Sequence, residues 1–331
     1  MKVSLYDKCV FLWHKEKKLV GIITTHVDDF EYAGTQEWQD NVIRKIMDMF
    51  KISKMEKGSF KYIGLRIEQN GQEIFVDQND YCSNLSEVKF DGPSNEQLNT
   101  EEKGELRSLC GQVLWATSQT RPDAAFEGCQ ISNAGESATK KHILDANKVI
   151  RKLRNENIRV VYPSLGAPEN VRVVVYGDGS HASLPSGASQ GGSIVFVTGG
   201  GRSAPIYWNS KKLDRITKSP LATEISAIAD AADNGHLISS MVKEIFCLQS
   251  GPDIDLMTDS LSLKEHLKSK KVISDPRLRV DIARLREMTE IGEINIKWVP
   301  GTLQLADPLT KRGASTELLR QVLVSGVLPK H

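Results

Sequence analysis

No stretch of the chain approaches the roughly 20 consecutive apolar residues that a bilayer-spanning helix requires. The opening Met1-Lys-Val-Ser-Leu-Tyr-Asp-Lys has no apolar signal-peptide core. Neither a helical membrane span nor a secretory leader is expected. Cysteine is scarce: Cys9, Cys82, Cys110, Cys129 and Cys247 are an odd set with none of the paired spacings of zinc or redox sites. That pattern suits a reduced, soluble, intracellular protein, of cytoplasm or nucleus, with no structural metal held by cysteine. A charge excess of either sign is missing too, since 43 Lys and Arg face 42 Asp and Glu. With no global basic field, any contact with nucleic acid must come from a local patch. Internal repeats and low-complexity tracts are absent. Two glycine clusters invite a phosphate-loop reading and fail it. Gly177-Asp-Gly179 lacks the third glycine and the long helix that should follow, and Gly199 to Gly201 are turn residues.

What is present is a chain of 331 residues, 40% hydrophobic and 26% charged, of ordinary globular composition. Its length suits two or three domains of roughly 100 to 200 residues. Between Val171 and Lys311, four acidic residues far apart in sequence stand where one small α/β fold would gather them. The β-branched run Val171-Arg-Val-Val-Val-Tyr-Gly stops at Asp178, which places that carboxylate at or near a strand end. Leu221-Ala-Thr-Glu224-Ile-Ser-Ala-Ile-Ala has apolar residues at helical spacing, so Glu224 falls on the first turns of a helix packed on a sheet. Asp259 follows the apolar run Ile254-Asp-Leu-Met-Thr, again at a strand edge. Asp307 comes after the strand-like Ile294-Asn-Ile-Lys-Trp-Val, which Pro300 and Gly301 close.

Taken singly, each of these acids reads as a helix cap or a solvated carboxylate, and Asp307 before proline as a helix start. Taken together they point to a site. Carboxylates converging in a compact pocket cannot all stay ionised unless something neutralises them, and one or two hard divalent cations do so most readily. Two such ions clamp the attacking and leaving oxygens of an in-line phosphodiester displacement. That chemistry acts on nucleic-acid backbones.

The segments YGDGSHA, GGSIVFVTGGGRSAPIYWNSKK, LATEISAIADAA, TDSLSL, RLRVDIARLREM and GEINIKWVPGTLQLADPLTK follow in an order and spacing that resemble the ribonuclease H domain of copia-type retrotransposon polyproteins. The resemblance implies a ribonuclease H-like α/β domain over 171–313, built on a mixed five-stranded sheet flanked by helices. It implies that Asp178, Glu224, Asp259 and Asp307 are catalytic ligands of two Mg²⁺ ions, with Mn²⁺ as a substitute, and that the substrate is the RNA strand of an RNA–DNA hybrid. Other parts of a polyprotein would be partners, and an active element would sit in a virus-like particle. Where the family usually reads Asp-Ala-Asp-Trp-Ala, this chain has Asp178-Gly-Ser-His181-Ala, which keeps the acid and loses the aromatic. No histidine lies between Trp298 and Gly313, so the general acid that some ribonucleases H keep near the fourth carboxylate is missing.

The first 90 residues open with a hairpin, Cys9-Val-Phe-Leu-Trp-His and Leu19-Val-Gly-Ile-Ile-Thr-Thr, which leads into His26-Val-Asp28-Asp29. A helix-like stretch from Gln36 to Phe50 follows, then Phe60-Lys-Tyr-Ile-Gly-Leu-Arg-Ile-Glu, with Asn70-Gly71 as the turn into Glu73-Ile-Phe-Val-Asp. HVDDF, KYIGLRIE and YCSNL resemble the α+β palm of copia-type reverse transcriptases, with His26 in place of the family's tyrosine. Asp28 and Asp29 would then be a vestigial polymerase metal site. In the family the third acid and the nucleotide-binding fingers lie upstream, so a truncated palm without polymerase activity of its own is expected. Without the resemblance, an Asp-Asp pair in a turn is simply solvated.

Residues 91–170 resemble the family's helical thumb and connection through LCGQVLWATSQTRPD and HILDANKVIRKLR, with helices expected over 98–120 and 138–153. From Lys140 to Arg159 seven basic residues face only Asp145 and Glu156. Lys148, Arg151, Lys152 and Arg154 in this patch are candidates for phosphate contacts, the alternative being a solvated helix face. A last helix is expected near Asp307, and 314–331 reads as an amphipathic tail. Two functions follow: a metal-dependent ribonuclease H, or an inactive or domesticated remnant that still binds nucleic acid.

Overall fold

The computed structural model describes residues 1–50, 52, 54–269 and 275–330. His331, the end of the expected tail, lies outside the described residues. Strands β1 (Lys2–Val3), β2 (Val10–Lys15), β3 (Lys18–His26) and β4 (Asp29–Gly34) form an antiparallel sheet in that order. The helical stretch 36–50 covers it as α1 (Gln36–Trp38), a π turn (Gln39–Ile43) and α2 (Arg44–Phe50). The expected hairpin and helix are both there. β4, where Phe30 and Tyr32 alternate with polar neighbours, is an additional strand.

A second antiparallel sheet runs β5 (Ser59–Tyr62), β6 (Leu65–Asn70), β7 (Glu73–Asp77) and β8 (Val160–Tyr162). It joins strands from both sides of the boundary expected at residue 90. Between β7 and β8 lie α3 (Asn79–Ser83), α4 (Thr100–Gln119), α5 (Ala125–Ser132) and α6 (Lys140–Asn155). Asn99 and Glu102 close a capping box at the start of α4. Leu106, Leu109, Val113, Ile143, Ile150 and Leu153 pack together inside this helical layer. Its buried ion pair joins Arg121 and Asp123.

From residue 172 onward the chain builds a five-stranded mixed sheet. Its strands are β9 (Arg172–Ser180), β10 (Gln190–Gly199), β11 (Arg202–Lys212), β12 (Ile254–Thr258) and β13 (Ile294–Trp298), in the order β11-β10-β9-β12-β13. β9, β10 and β11 are antiparallel neighbours, while β12 runs parallel to both β9 and β13. This is the mixed α/β sheet flanked by helices that the motif order implies. α7 (Pro220–Phe246), α8 (Leu261–Lys268) and α9 (Pro276–Glu290) cover one face, with Val173, Val175, Ile225, Ile228, Ile282 and Leu285 in the core between them. Val174, Tyr176, Ile194 and Phe196 face the other way, onto Ile158, Leu309 and α10 (Glu317–Ser325). Both faces of β9 are therefore covered, which is why its sequence reads as a nearly unbroken apolar run. Each such side chain taken from water contributes about 1.5–3 kcal/mol. The tail is not peripheral, since Leu319, Val322 and Leu323 of α10 are core residues.

The helix expected near Asp307 is short: Asp307 opens a single 3-10 turn, Asp307–Leu309, and not an α-helix. The chain leaves helical geometry at Thr310, whose hydroxyl turns to Asp178, and Gly313 adopts φ +74°. The first sheet docks on the end of α7, where Ser4 donates to Glu244 at 2.7 Å and a ring nitrogen of His14 lies 2.9 Å from the Ile245 carbonyl. No helix among the described residues is long and apolar enough to cross a membrane.

Candidate active site

Four separate elements bring acidic residues to one end of the five-stranded sheet. Asp178 lies in β9 opposite Gly192 of β10 and is fully buried. Along β9 the alternation points Val174, Tyr176 and Asp178 to the face away from α7, so Asp178 looks at the turn carrying Asp307. β12 pairs with β9 so that Met257 stands opposite Tyr176. Two residues further on, Asp259 emerges from the strand end beside Asp178. Glu224 projects from the start of α7, whose first turn is fixed by the Ser219 side chain accepting from the Ala222 N–H and by Pro220.

Two glycines make this convergence possible. A Cβ at Gly179 would lie 2.8 Å from the Thr223 carbonyl oxygen, so only glycine lets the start of α7 settle on β9. On the other face, a Cβ at Gly192 would meet Leu309 Cβ at 2.7 Å and Thr310 Cγ2 at 2.8 Å. That close approach seats the Asp307 turn.

Carboxylate oxygens of Asp178, Glu224 and Asp259 all lie within 4.8 Å of one another. Asp307 joins through Lys311: its Oδ1 is 2.7 Å from the ammonium, which is also 3.3 Å from Asp178 Oδ1 and 4.0 Å from Asp259 Oδ2. The Thr310 hydroxyl donates to Asp178 Oδ2. The Trp298 indole N–H donates to the Asp259 carbonyl at 3.1 Å, with its ring partly exposed beside the acids.

The electrostatics follow from burial of like charges. Burial, then repulsion from Asp178 and Asp259, pushes Glu224 up to about 8. Asp307 rises to about 6, with burial dominant and Lys311 opposing it. Asp178 is raised as well, by burial against the pull of Lys311 and Thr310. Burial works against the charge on Lys311, but Asp178 and Asp307 outweigh it and hold the ammonium above its ordinary range. The donor set suits a hard cation, because every ligand atom is a carboxylate oxygen. Glu224 Oε2 is buried with no hydrogen-bond partner, and Asp178 Oδ1 makes no hydrogen bond and has only its ion contact with Lys311. Orphaned buried acceptors of this kind fit a metal ligand set.

The remaining candidates lie elsewhere. Asp28 and Asp29 are exposed at the β3–β4 turn, beside Val27 at φ +56°. Among the described residues no third acid gathers with them. Lys148, Arg151, Lys152 and Arg154 lie on α6, which packs on α3, α4 and α5. All four have partners within the chain: Lys148 pairs with Asp145, Arg151 and Arg154 with Glu87, and Lys152 with Glu127 and the Asp123 carbonyl. Lys311, Thr310 and Trp298 were not singled out from sequence. For Lys311 a signal existed, since a lysine four residues after an acid in a turn is placed to pair with it.

Retrovirus-related Pol polyproteins are homologues of this chain. The polyprotein from transposon RE1 of Arabidopsis thaliana is 20% identical over 329 residues, 93% of this chain, and that from transposon RE2 of the same plant is 21% identical over 331. The chain spans about a fifth of their length, 22% in both cases. No protein-family model matches. Among solved structures, the foamy viral protease-reverse transcriptase dRH in complex with double-stranded DNA aligns over 84% of this chain and 46% of its own, at 16% identity and a TM-score of 0.48. The N-terminal RNase H domain of a Mycobacterium tuberculosis protein aligns over 43% of this chain and 91% of its own, at 19% identity and a TM-score of 0.33.

Proposed function

We propose that this chain, a relative of retrovirus-related Pol polyproteins over 93% of its length, is a divalent-metal-dependent ribonuclease H of copia type that cuts the RNA strand of RNA–DNA hybrids. The observation that carries the reading is the meeting of Asp178, Glu224 and Asp259 within 4.8 Å, with Asp307 tied in through Lys311. The four acids are assigned as ligands of Mg²⁺, or Mn²⁺ in its place. When bound, such ions activate a water and stabilise the leaving oxygen of a phosphodiester displacement.

The chain's own residues do the rest. Thr310 holds Asp178 in one orientation by donating to Oδ2, which leaves Oδ1 directed into the cluster. The strand pairing of β9 and β12 sets the spacing of Asp178 and Asp259, and the capped start of α7 brings Glu224 over them. The partly exposed Trp298 ring supplies an apolar wall on which a sugar or base can rest. Lys148, Arg151, Lys152 and Arg154 are assigned to phosphates of the hybrid further along. Exposed internal ion pairs are worth about 0–1 kcal/mol, so exchanging them for phosphates costs little. Asp28 and Asp29 are assigned to a vestigial polymerase turn, with no nucleotide addition by this chain alone.

The test is cleavage of a hybrid labelled on its RNA strand, with and without Mg²⁺, compared with duplex DNA and with Asp259→Asn. Metal-dependent cutting of the RNA strand that is lost in the variant supports the proposal. Binding of hybrid without cleavage would instead favour a nucleic-acid-binding remnant.

A further inference from the structure

The Lys311 ammonium already stands where a cation serving Asp178, Asp259 and Asp307 would have to sit, at 3.3, 4.0 and 2.7 Å from their oxygens. We infer that Lys311 is a tethered cation that fills one of the two ion positions of the free protein, so that one divalent ion binds on the Glu224 side and a second enters only by displacing the lysine. The inference rests on the metal-dependent reading above.

Three features place the ammonium there. Lys311 lies four residues after Asp307, across the turn that Gly192 allows to approach β10 next to Asp178, so its position is set by the same close packing that seats Asp307. Thr310 occupies Asp178 Oδ2, which turns Oδ1 toward the lysine. Glu224 receives no such contact: its Oε2 is buried without a partner. The cluster is thus asymmetric, half neutralised by the protein itself and half open. An ammonium is a compact point charge on a flexible stem, so it can swing out when a divalent ion with two charges competes for the same oxygens. Substrate phosphate is the natural recipient for the displaced lysine, because an ion near Asp307 and the phosphodiester it binds would stand within the lysine's reach. Occupancy of that ion position would then be coupled to the presence of the hybrid.

The experiment counts Mn²⁺ bound to the full chain without nucleic acid, by the loss of free-ion electron paramagnetic resonance signal. The wild type should bind one Mn²⁺ per chain, with a second only at concentrations higher by about tenfold or more. Lys311→Met should bind two in the same concentration range, and Lys311→Arg, which keeps the charge, should resemble the wild type. If Lys311→Met keeps the wild-type stoichiometry and affinities, or the wild type takes up two ions equally well, the inference is wrong. Removing the lysine leaves buried carboxylates unpaired, so should the methionine variant not fold in metal-free buffer, Lys311→Gln carries the same comparison. Asp259→Asn separates the two levels: if it binds Mn²⁺ as the wild type does, the metal site itself is misassigned, whatever Lys311 does.

Discussion

Gly179 and Thr223 meet so closely that a Cβ on the glycine would stand 2.8 Å from the threonine carbonyl oxygen. This contact sets how near the start of α7, and with it Glu224, comes to the strand carrying Asp178. Gly179→Ala should push the helix off β9, destabilise the protein by about 1–3 kcal/mol as an overpacked core position does, and weaken metal binding. Thermal melting and Mn²⁺ titration read the two effects. A variant with wild-type melting and wild-type metal affinity would show that the contact does not position Glu224.

Asp259 stands past the end of β12 and is not part of the core. Asp259→Asn should leave melting in metal-free buffer nearly unchanged, yet lower hybrid cleavage by at least roughly 100-fold, more than partners that only orient a ligand commonly cost. Single-turnover cleavage, alongside circular dichroism of the same preparation, checks both halves.

Stability should depend on pH in an unusual direction. Glu224 has an ordinary value of 4.5 and reaches about 8 in the fold. Between these values the folded state holds a proton that the unfolded chain has lost, so folding stability declines as pH rises through that window. Asp307, raised to about 6, acts in the same direction. Melting in EDTA should therefore fall between about pH 5 and pH 8, and Glu224→Gln should flatten the slope. Added Mg²⁺ binds the ionised carboxylates and should stabilise most at the alkaline end. Equal stabilisation by Mg²⁺ at both ends would contradict the assignment.

Arg121 and Asp123 form an ion pair with both side chains almost fully buried, and Arg121 also donates to the Leu153 carbonyl at 3.2 Å. Removing Arg121 leaves the buried Asp123 carboxylate with only the longer contact to Arg320, at 3.8 Å. Arg121→Ala should cost about 3–5 kcal/mol, whereas replacing both residues with apolar ones of similar volume should cost much less. Urea unfolding of the single and double variants measures the difference.

Lys148 and Arg151 are the more exposed of the four basic candidates on α6. If they meet phosphates, reversing both charges should reduce the slope of log affinity against log salt by about two units. An unchanged slope would make this face a solvated one whose charges serve only Glu87 and Asp145. Fluorescence anisotropy with a labelled hybrid over a salt series decides it.

Much of the fold was legible in the chain because local patterns are short-range. The β-branched run of β9 and the turn at Gly199 to Gly201 needed no knowledge of distant residues. The same holds for the helical spacing around Glu224. Some local signals went unread, such as Phe30 and Tyr32 alternating in β4. Others were not there to read: β8 has three residues and exists as a strand because β7 offers it an edge. The turn at Asp307 looked like a helix start, yet Thr310 is drawn off to Asp178, a partner 132 residues away. Local propensity carries no trace of such a competitor.

By itself the sequence determined which residue types were available and in what order. It contained four acids at the ends of regular elements, glycines beside two of the approach points, and no cysteine or histidine set that would bind a metal in their place. Only the tertiary structure decided that three of those acids meet directly while Asp307 reaches them through a lysine, because distances among side chains from four elements depend on how closely the helix and the final turn pack on the sheet. It likewise decided that the basic residues of α6 already have acidic partners, since Glu87 lies more than 60 positions away along the chain and only folding brings it to Arg151.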